Sequence, residues 1–146
     1  MPSLLENKKA YFNYEILETY EAGLSLFGLE VKSLKNKHGS IAGARVLIRG
    51  DEAFIVGMDI PPYQPNNTPK EYERERTRKL LLHSGEISHL SGKAAERGLA
   101  IIPTKVYTAH GRIKIEIAVV RGKKKFEKRE KIKKRDIERE IGRSLK

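Results

Sequence analysis

Residues 21–35 read EAGLSLFGLEVKSLK, and this stretch decides which fold the sequence predicts. The apolar residues between Gly23 and Gly28 predict a short buried strand. After Gly28 apolar and polar residues mix as in a helix of one turn or more. A strand that turns at a glycine and continues into a short helix is typical of a corner in a small barrel or sandwich. We therefore expect the rest of the chain to pack around this corner.

The charge of the chain is high and uneven. Lys and Arg total 30 against 19 acidic residues, which gives a net charge of +11. Residues 122–146 contain 12 of the basic and 5 of the acidic residues, which leaves 18 and 14 for residues 1–121. A modestly basic body with a strongly basic tail predicts a polyanionic partner, although a tail that only improves solubility is the alternative. We expect two parts, a folded domain at 1–121 and a tail at 122–146.

Composition argues against several classes of protein. The chain has 146 residues and no cysteine, so one domain is expected, without disulfides, thiolate metal sites or a cysteine nucleophile. No run of 18 apolar residues occurs, and the first residues lack the apolar core of a signal peptide. We therefore expect a cytoplasmic protein with no membrane partner.

The rest of the sequence predicts three hairpins, a helix and a proline-rich loop. Four of the six prolines fall at positions 61–69, which predicts a long exposed loop. A helix is predicted from Ser84 as its N-cap, with a break at Ser91-Gly92 and an end at Gly98. The predicted strand pairs are 11–20 with 24–27, turning at 21–23; 44–49 with 52–58, turning at 50–51; and 99–107 with 112–121.

These elements predict a mainly β fold with some α. We expect a small antiparallel OB-like β-barrel of about six strands with two or three short helices, followed by the basic tail. In the tail, Ile137, Ile141 and Leu145 form only a narrow apolar stripe, too little to offset the entropy of ordering it. We expect the tail to be disordered alone and helical on a charged partner.

The sequence does not predict an enzyme. Its four histidines, His38, His83, His89 and His110, stand at spacings that suit no metal site, and no nucleophile motif or phosphate-binding loop occurs. We expect no metal and no cofactor. A metal-dependent nuclease is the weakest alternative, because the carboxylates are scattered.

An RNA-binding site is easier to assemble. Lys8 and Lys9 precede a segment rich in aromatic residues, a combination that binds RNA by stacking and phosphate contact, although core packing explains the aromatics equally well. Within a basic site, Asn7 and Glu21 supply oxygens that accept hydrogen bonds from bases or riboses. The basic run beside the proline-rich loop is either a solvated face or a set of phosphate contacts, namely Arg76, Arg78 and Lys79.

Five motifs occur in order along the chain and cover nearly all of it. Together they resemble the SmpB family, the tmRNA-binding (SsrA-binding) proteins of bacterial trans-translation. No motif is decisive alone, but five in register are specific. The motifs are NKKA (7–10), YEILETYEAG (14–23), GLEVKSL (28–34), RKLLLH (78–83) and GKKKFEKR (122–129).

The resemblance implies a tmRNA-binding protein required for trans-translation. The barrel would bind the tRNA-like domain of tmRNA and deliver it to stalled ribosomes, and the tail would probe the decoding centre and empty mRNA channel of the small subunit. It also implies contact with elongation factor Tu through the aminoacyl-tmRNA complex, and a monomer. The alternative is a general RNA-binding ribosomal or assembly protein without tmRNA selectivity.

The resemblance further implies which residues contact RNA. They are Asn7, Glu21 and Leu81, with Lys8 and Lys32 near them, although the apolar pattern alone places Leu81 in the core. Phe12 departs from the family, since many members have histidine there, and Phe126 stands where His or Tyr is frequent. The implied tail contacts are Lys123, Lys124, Phe126, Lys128, Arg129, Lys131, Lys133, Lys134 and Arg135.

Overall fold

A computed structural model describes residues 3–122 as one antiparallel sheet with helices packed on it. Within this part of the chain there are seven strands, three α-helices and one short 3-10 turn. The elements are β1 (Ser3–Glu6), α1 (Lys8–Asn13), β2 (Tyr14–Leu24), α2 (Gly28–Lys35), β3 (Arg45–Arg49), β4 (Glu52–Val56), the 3-10 turn (Pro65–Asn67), β5 (Arg78–Leu81), α3 (Ser84–Ala95), β6 (Leu99–Ala109) and β7 (Arg112–Gly122).

The sheet runs in the order β1-β6-β7-β2-β5-β4-β3, and every neighbouring pair is antiparallel. The predicted class, mainly β with short helices, is confirmed. The structure differs from the predicted barrel in that the sheet does not close. Within residues 3–122 no ladder of hydrogen bonds joins β1 to β3, although β3 lies against β6. The sheet therefore curves into a barrel-like shape that stays open between its two edge strands.

The segment before the corner differs most from the prediction. Residues 8–13 form helix α1, which takes up the first three residues of the strand predicted at 11–20, because Ala10 packs into an apolar cluster with Ile102, Ala118 and Val120. The preceding strand β1 was not predicted, and it pairs with β6 at the edge of the sheet. Strand β5 was not predicted either, and the separate strand expected at 24–27 is absent, so seven strands replace the expected six.

The predicted turn at residues 21–23 is wrong. Strand β2 runs through Glu21, Ala22 and Gly23 without interruption, since all three pair with β7. The strand ends at Leu24, which pairs with β5, and residues 25–27 link it to α2. The helix predicted after Gly28 is confirmed. The corner is thus a link between one long strand and a helix. It is not a hairpin.

The two predicted hairpins elsewhere are confirmed. The turn between β6 and β7 has positive φ at His110 (52°) and Gly111 (74°), the backbone of a tight two-residue hairpin turn. Helix α3 begins at Ser84 as expected, but its N-cap is His83. It does not break at Ser91-Gly92, because its buried face holds it on the sheet through residues that include Ile87 and Leu90.

One apolar core fills the concave side of the sheet. Its fully buried members come from the strands, from α2 and α3 and from the connecting loops, and each large one contributes roughly 2 kcal/mol through burial. They include Ile55, Leu80, Leu90, Ile115 and Ile117. Since side chains alternate along each strand, the neighbours of these residues point to the convex side, where the candidate site lies.

Candidate nucleic-acid interface

Strand β5 divides its four residues between the two sides of the sheet. Arg78 and Leu80 are buried, whereas Lys79 and Leu81 are exposed. Leu81 is 55% exposed, which is unusual for a leucine in a central strand. The core position that the pattern assigned to Leu81 is taken by Leu80, so Leu81 lies on the convex side of the sheet.

Strands β5, β2 and β7 bring Leu81, Gly23 and Lys114 side by side on this convex side. Leu81 is opposite Gly23, and Gly23 is opposite Lys114. A Cβ at Gly23 would come within 3.2 Å of the Leu81 Cβ, so the glycine leaves room for the leucine side chain. Leu81 therefore rests on the backbone of β2 and presents its far side to solvent.

Two open depressions flank Leu81. One, of about 330 Å³, is lined by Leu26, Val31, Arg112 and Lys114 among others. The second, of about 460 Å³, is lined by residues that include Glu21, Lys79, Leu81 and Lys114. We call the group formed by Glu21, Gly23, Lys79, Leu81 and Lys114 the Leu81 surface.

Glu21 is an exposed carboxylate that the sheet holds in one orientation. Its Oε2 accepts a hydrogen bond from the hydroxyl of Tyr107, which is buried. Burial, followed by this bond to Glu21, raises the pKa of Tyr107 well above its usual value, so the phenol stays a donor. Glu21 also lies opposite Glu116, whose Oε2 accepts from the Thr104 hydroxyl at 2.5 Å. The Leu81 surface therefore contains an oriented acceptor beside two lysines.

Asn7 is anchored close to these carboxylates. Its backbone N–H donates to the Thr104 carbonyl (2.8 Å), and its side-chain amide donates to the Pro103 carbonyl (3.1 Å). Only 8% of Asn7 is exposed. It lines a separate depression, with Lys9 and Arg45 among others, and neither of the two beside Leu81. Of the other predicted contacts, Lys8 and Lys32 are exposed but line neither depression.

The prediction that Arg78 contacts RNA is wrong, because its side chain is fully buried. Its Nη2 lies 2.5 Å and its Nε 2.8 Å from Glu30 Oε2, and its Nη1 donates to the Met58 carbonyl at 2.7 Å. Inward-facing positions of a strand bury charge only when it is paired, and Glu30 supplies the pairing. Arg78 therefore has a structural role.

Arg76 shares the same carboxylate. Its Nη2 lies 2.5 Å from Glu30 Oε1, and its guanidinium carbon lies 3.9 Å from the centre of the Phe27 ring. The ion pair and the ring together hold this half-buried arginine against α2. Three basic residues beside the proline-rich loop were predicted to contact phosphates. Only Lys79 of these lies on the Leu81 surface, and it also pairs with Glu52 at 3.6 Å.

Burial opposes ionisation of Glu30, yet its pKa is lowered. The hydrogen bonds that outweigh burial come first from Arg76, then from the Phe27 backbone N–H at 2.8 Å, then from Arg78. Tyr72 completes the arrangement, because its hydroxyl proton is shared between Glu30 Oε2 at 3.0 Å and the Ile60 carbonyl at 2.8 Å. We call Glu30, Tyr72, Arg76 and Arg78 the Glu30 cluster.

Comparison with known proteins identifies the family. The family model described as SmpB protein matches residues 4–146. The chain belongs to the SmpB protein family. It is 51% identical over 140 residues to the SsrA-binding protein of Persephonella marina, covering 96% of this chain and 91% of that protein. It is 48% identical over 147 residues to the SsrA-binding protein of Thermosipho africanus, covering 100% of this chain and 98% of that protein.

A solved structure gives the same answer. The chain is similar to one in a structure described as tmRNA–SmpB in the bacterial ribosome, with 39% identity and a TM-score of 0.70. The match covers 83% of this chain and 85% of the other. The predicted resemblance to SmpB is therefore confirmed both by sequence and by fold.

Some predicted residues lie outside the structure, and others were missed. The tail contacts from Lys123 to Arg135 fall outside the described residues 3–122. Lys114 and Tyr107 were not predicted, although the alternation RIKIEI at 112–117 placed Lys114 on the polar side of its strand. They can be found only when the strands that lie beside β7 are known. In the part of the chain that the structure describes, no group of His, Asp or Glu suits a metal ion, and no helix could span a membrane.

Proposed function

We propose that this SmpB-family chain binds tmRNA and acts in trans-translation, the rescue of stalled ribosomes. The observation that carries the proposal is Leu81, a 55% exposed leucine that lines one depression with Glu21 and Lys114 on the convex side of the sheet. Leu81 shares one depression with Leu24, Leu26 and Val31, and an exposed apolar patch rimmed by charged residues marks an interaction site. The SsrA-binding relatives and the tmRNA–SmpB structure support the choice of RNA.

Each part of the Leu81 surface suits a different part of an RNA. Leu81 offers an apolar contact to the face of an unstacked base or to a ribose. Lys79 and Lys114 attract phosphates, which supplies much of the affinity but little selectivity. Glu21 accepts hydrogen bonds from base amino groups or ribose hydroxyls, and the Tyr107 hydroxyl fixes its orientation. Phosphate contact and selectivity thus come from neighbouring residues.

The resemblance to the family supports a second contact, made by the tail. Residues 122–146 carry a net charge of +7, counted from 12 basic and 5 acidic residues, and rRNA is a matching polyanion. In this proposal the chain is a cytoplasmic monomer without catalytic activity. It delivers tmRNA to the ribosome with elongation factor Tu, and its tail enters the decoding centre and mRNA channel.

The experiment that tests the proposal is a competition assay. Labelled tmRNA bound to the full chain is challenged with unlabelled tmRNA or with unlabelled elongator tRNA. We expect tmRNA to compete at much lower concentration than tRNA. Equal competition would instead support the alternative, a general RNA-binding ribosomal or assembly protein. Glu21→Ala should weaken tmRNA binding although it makes the protein more basic, and an increase in affinity would contradict a selective contact.

A further inference from the structure

The hairpin of β3 and β4 carries an apolar surface on the convex side of the sheet that the Leu81 surface does not include. Leu47 lies opposite Phe54, and Arg45 lies opposite Val56. Leu47, Phe54 and Val56 are half-buried, yet none of them packs in or against the apolar core clusters of the described residues. The three side chains therefore cover the outside of the sheet and not its interior.

These side chains form the floor of a shallow depression of about 370 Å³. Arg49 and Thr77 complete its walls. We call this the Phe54 depression. The phenylalanine gives it a flat aromatic surface, and its size and openness suit a planar group that lies on the ring.

Cations surround the Phe54 depression. Arg45 and Arg49 are exposed, and neither takes part in an ion pair within residues 3–122. Lys79 is opposite Phe54 in the register of β4 and β5. Glu52 lies opposite Arg49 in the register of β3 and β4, but the ion pair that it makes is with Lys79, at 3.6 Å. The surroundings are therefore positive, which favours an anionic partner over an apolar peptide.

We propose that the Phe54 depression is a second RNA-contact surface that takes an unpaired RNA segment. One base stacks on Phe54, with Leu47 and Val56 beside it, and the flanking phosphates lie against Arg45 and Arg49. Aromatic rings within a basic groove bind single-stranded nucleic acid in this way, because every base has a stacking face. The inference rests on the proposed RNA-binding function but uses residues outside the Leu81 surface.

Lys79 connects the two surfaces. It lines the depression that contains Glu21 and Leu81, and it is also the β5 residue opposite Phe54. An RNA bound at the Leu81 surface therefore meets the Phe54 depression one strand further along the sheet. We assign the unpaired segment to the same tmRNA, because Lys79 belongs to both surfaces, and ribosomal RNA is the other outcome of the crosslinking test.

Site-specific crosslinking tests the proposal and separates the two sources. The photoreactive residue p-benzoylphenylalanine replaces either Phe54 or Leu81 in the full chain, which is then irradiated with tmRNA alone or with stalled ribosomes and tmRNA. We expect tmRNA to be crosslinked from both positions. A crosslink from position 54 to ribosomal RNA alone would overturn its assignment to tmRNA. Crosslinks from position 81 without any from position 54 would overturn this inference but not the proposed function. Absence of both would overturn both.

Affinity measurements give a second test that does not depend on crosslinking. Phe54→Leu removes the ring but keeps apolar bulk, whereas Phe54→Tyr keeps the ring. With a fluorescent single-stranded oligoribonucleotide, we expect Phe54→Leu to weaken binding by about fivefold or more and Phe54→Tyr to have little effect. Thermal unfolding of each variant shows whether the fold is retained. Equal affinity of Phe54→Leu and the unchanged chain would contradict stacking.

The arginines have a matched control. Arg49→Gln should weaken binding of the same oligoribonucleotide by several fold and make it less sensitive to salt. Arg97→Gln removes the same charge in the turn between α3 and β6, where the residue lines neither the Phe54 depression nor those beside Leu81. An equal effect of the two substitutions would mean that only net charge matters, and the proposed surface would be wrong.

Discussion

Glu30 and Arg78, 48 residues apart in the chain, form an ion pair with 2.5 Å between Oε2 and Nη2, and both side chains are fully buried. Burying charge is costly, and the cost is offset here because Glu30 also accepts from Arg76 and Tyr72. The pair joins α2 to β5, the strand that carries Leu81. The Glu30 cluster thus fixes the strand on which the proposed function depends.

Replacing Glu30 should strongly destabilise the protein. Glu30→Gln keeps the shape of the side chain but leaves two arginines without a counter-charge, so we expect a loss of about 3 kcal/mol or more in the free energy of unfolding. Urea unfolding measures it. The control is Glu96→Gln, which removes an exposed carboxylate paired with Lys93 at 3.5 Å and should cost less than about 1 kcal/mol. Similar losses in the two variants would mean that the buried pair is unimportant.

Acid should destabilise the protein through the same carboxylate. The pKa of Glu30 in the fold lies below its ordinary 4.5, so the folded state binds its proton less tightly than the unfolded state does. The resulting stability is complete above pH 4.5 and is lost as the pH falls through the folded pKa. Between pH 6 and pH 3 the free energy of unfolding should therefore fall less steeply for Glu30→Gln than for the unchanged chain. Parallel pH profiles would contradict this.

Two adjacent leucines should have opposite roles. Leu81→Ala should weaken tmRNA binding and change stability little, because the side chain is 55% exposed. Leu80→Ala should cost roughly 2–5 kcal/mol of stability, because that side chain is 1% exposed in the core. Binding titration and urea unfolding of both variants distinguish the roles. A large loss of stability in Leu81→Ala, or none in Leu80→Ala, would reverse the assignment of faces.

Lys114 should contribute to the salt dependence of RNA binding. If it neutralises one phosphate, Lys114→Gln should reduce the slope of log K against log salt by roughly 0.7–0.9. Titrations with tmRNA at several salt concentrations give the slope. Arg97→Gln again serves as the control and should leave it unchanged. An unchanged slope in Lys114→Gln would remove Lys114 from the interface.

Removing the tail should separate binding from rescue. A chain that ends at Gly122 keeps the whole of β7, including the pair between Gly122 and Tyr14. We expect it to bind tmRNA with nearly unchanged affinity but to fail in a trans-translation assay on stalled ribosomes. Loss of tmRNA binding together with rescue would contradict the division into two parts.

The sequence predicted those parts of the fold that local patterns determine. The alternation at 112–117 predicted β7, and the spacing around Ile87 and Leu90 predicted α3. It did not predict α1, because residues 11–14 alternate like a strand and only tertiary contacts of Ala10 favour the helix. Local pattern also predicted the β6–β7 hairpin, whose two strands adjoin in the chain.

The candidate site was harder to predict for the same reason. Arg78 looked like a phosphate contact, since an arginine in a strand is normally exposed unless it has a buried partner. That partner, Glu30, is distant in sequence and no local pattern indicates it. Lys114 reaches the Leu81 surface through the pairing of β7 with β2, which spans most of the chain. Motif resemblance, by contrast, indicated both Glu21 and Leu81, which the structure places beside one depression.

The Glu30 cluster has a consequence for the proline-rich loop between β4 and β5. Tyr72 bonds to Glu30 and to the Ile60 carbonyl, so the two ends of this loop are tied together independently of the residues between them. A one-residue slip of β5 is blocked, because it would exchange buried Arg78 for Lys79. We therefore expect insertions and deletions between residues 62 and 70 to leave Leu81 in place, so that this loop can be lengthened, shortened or labelled there without moving the proposed site.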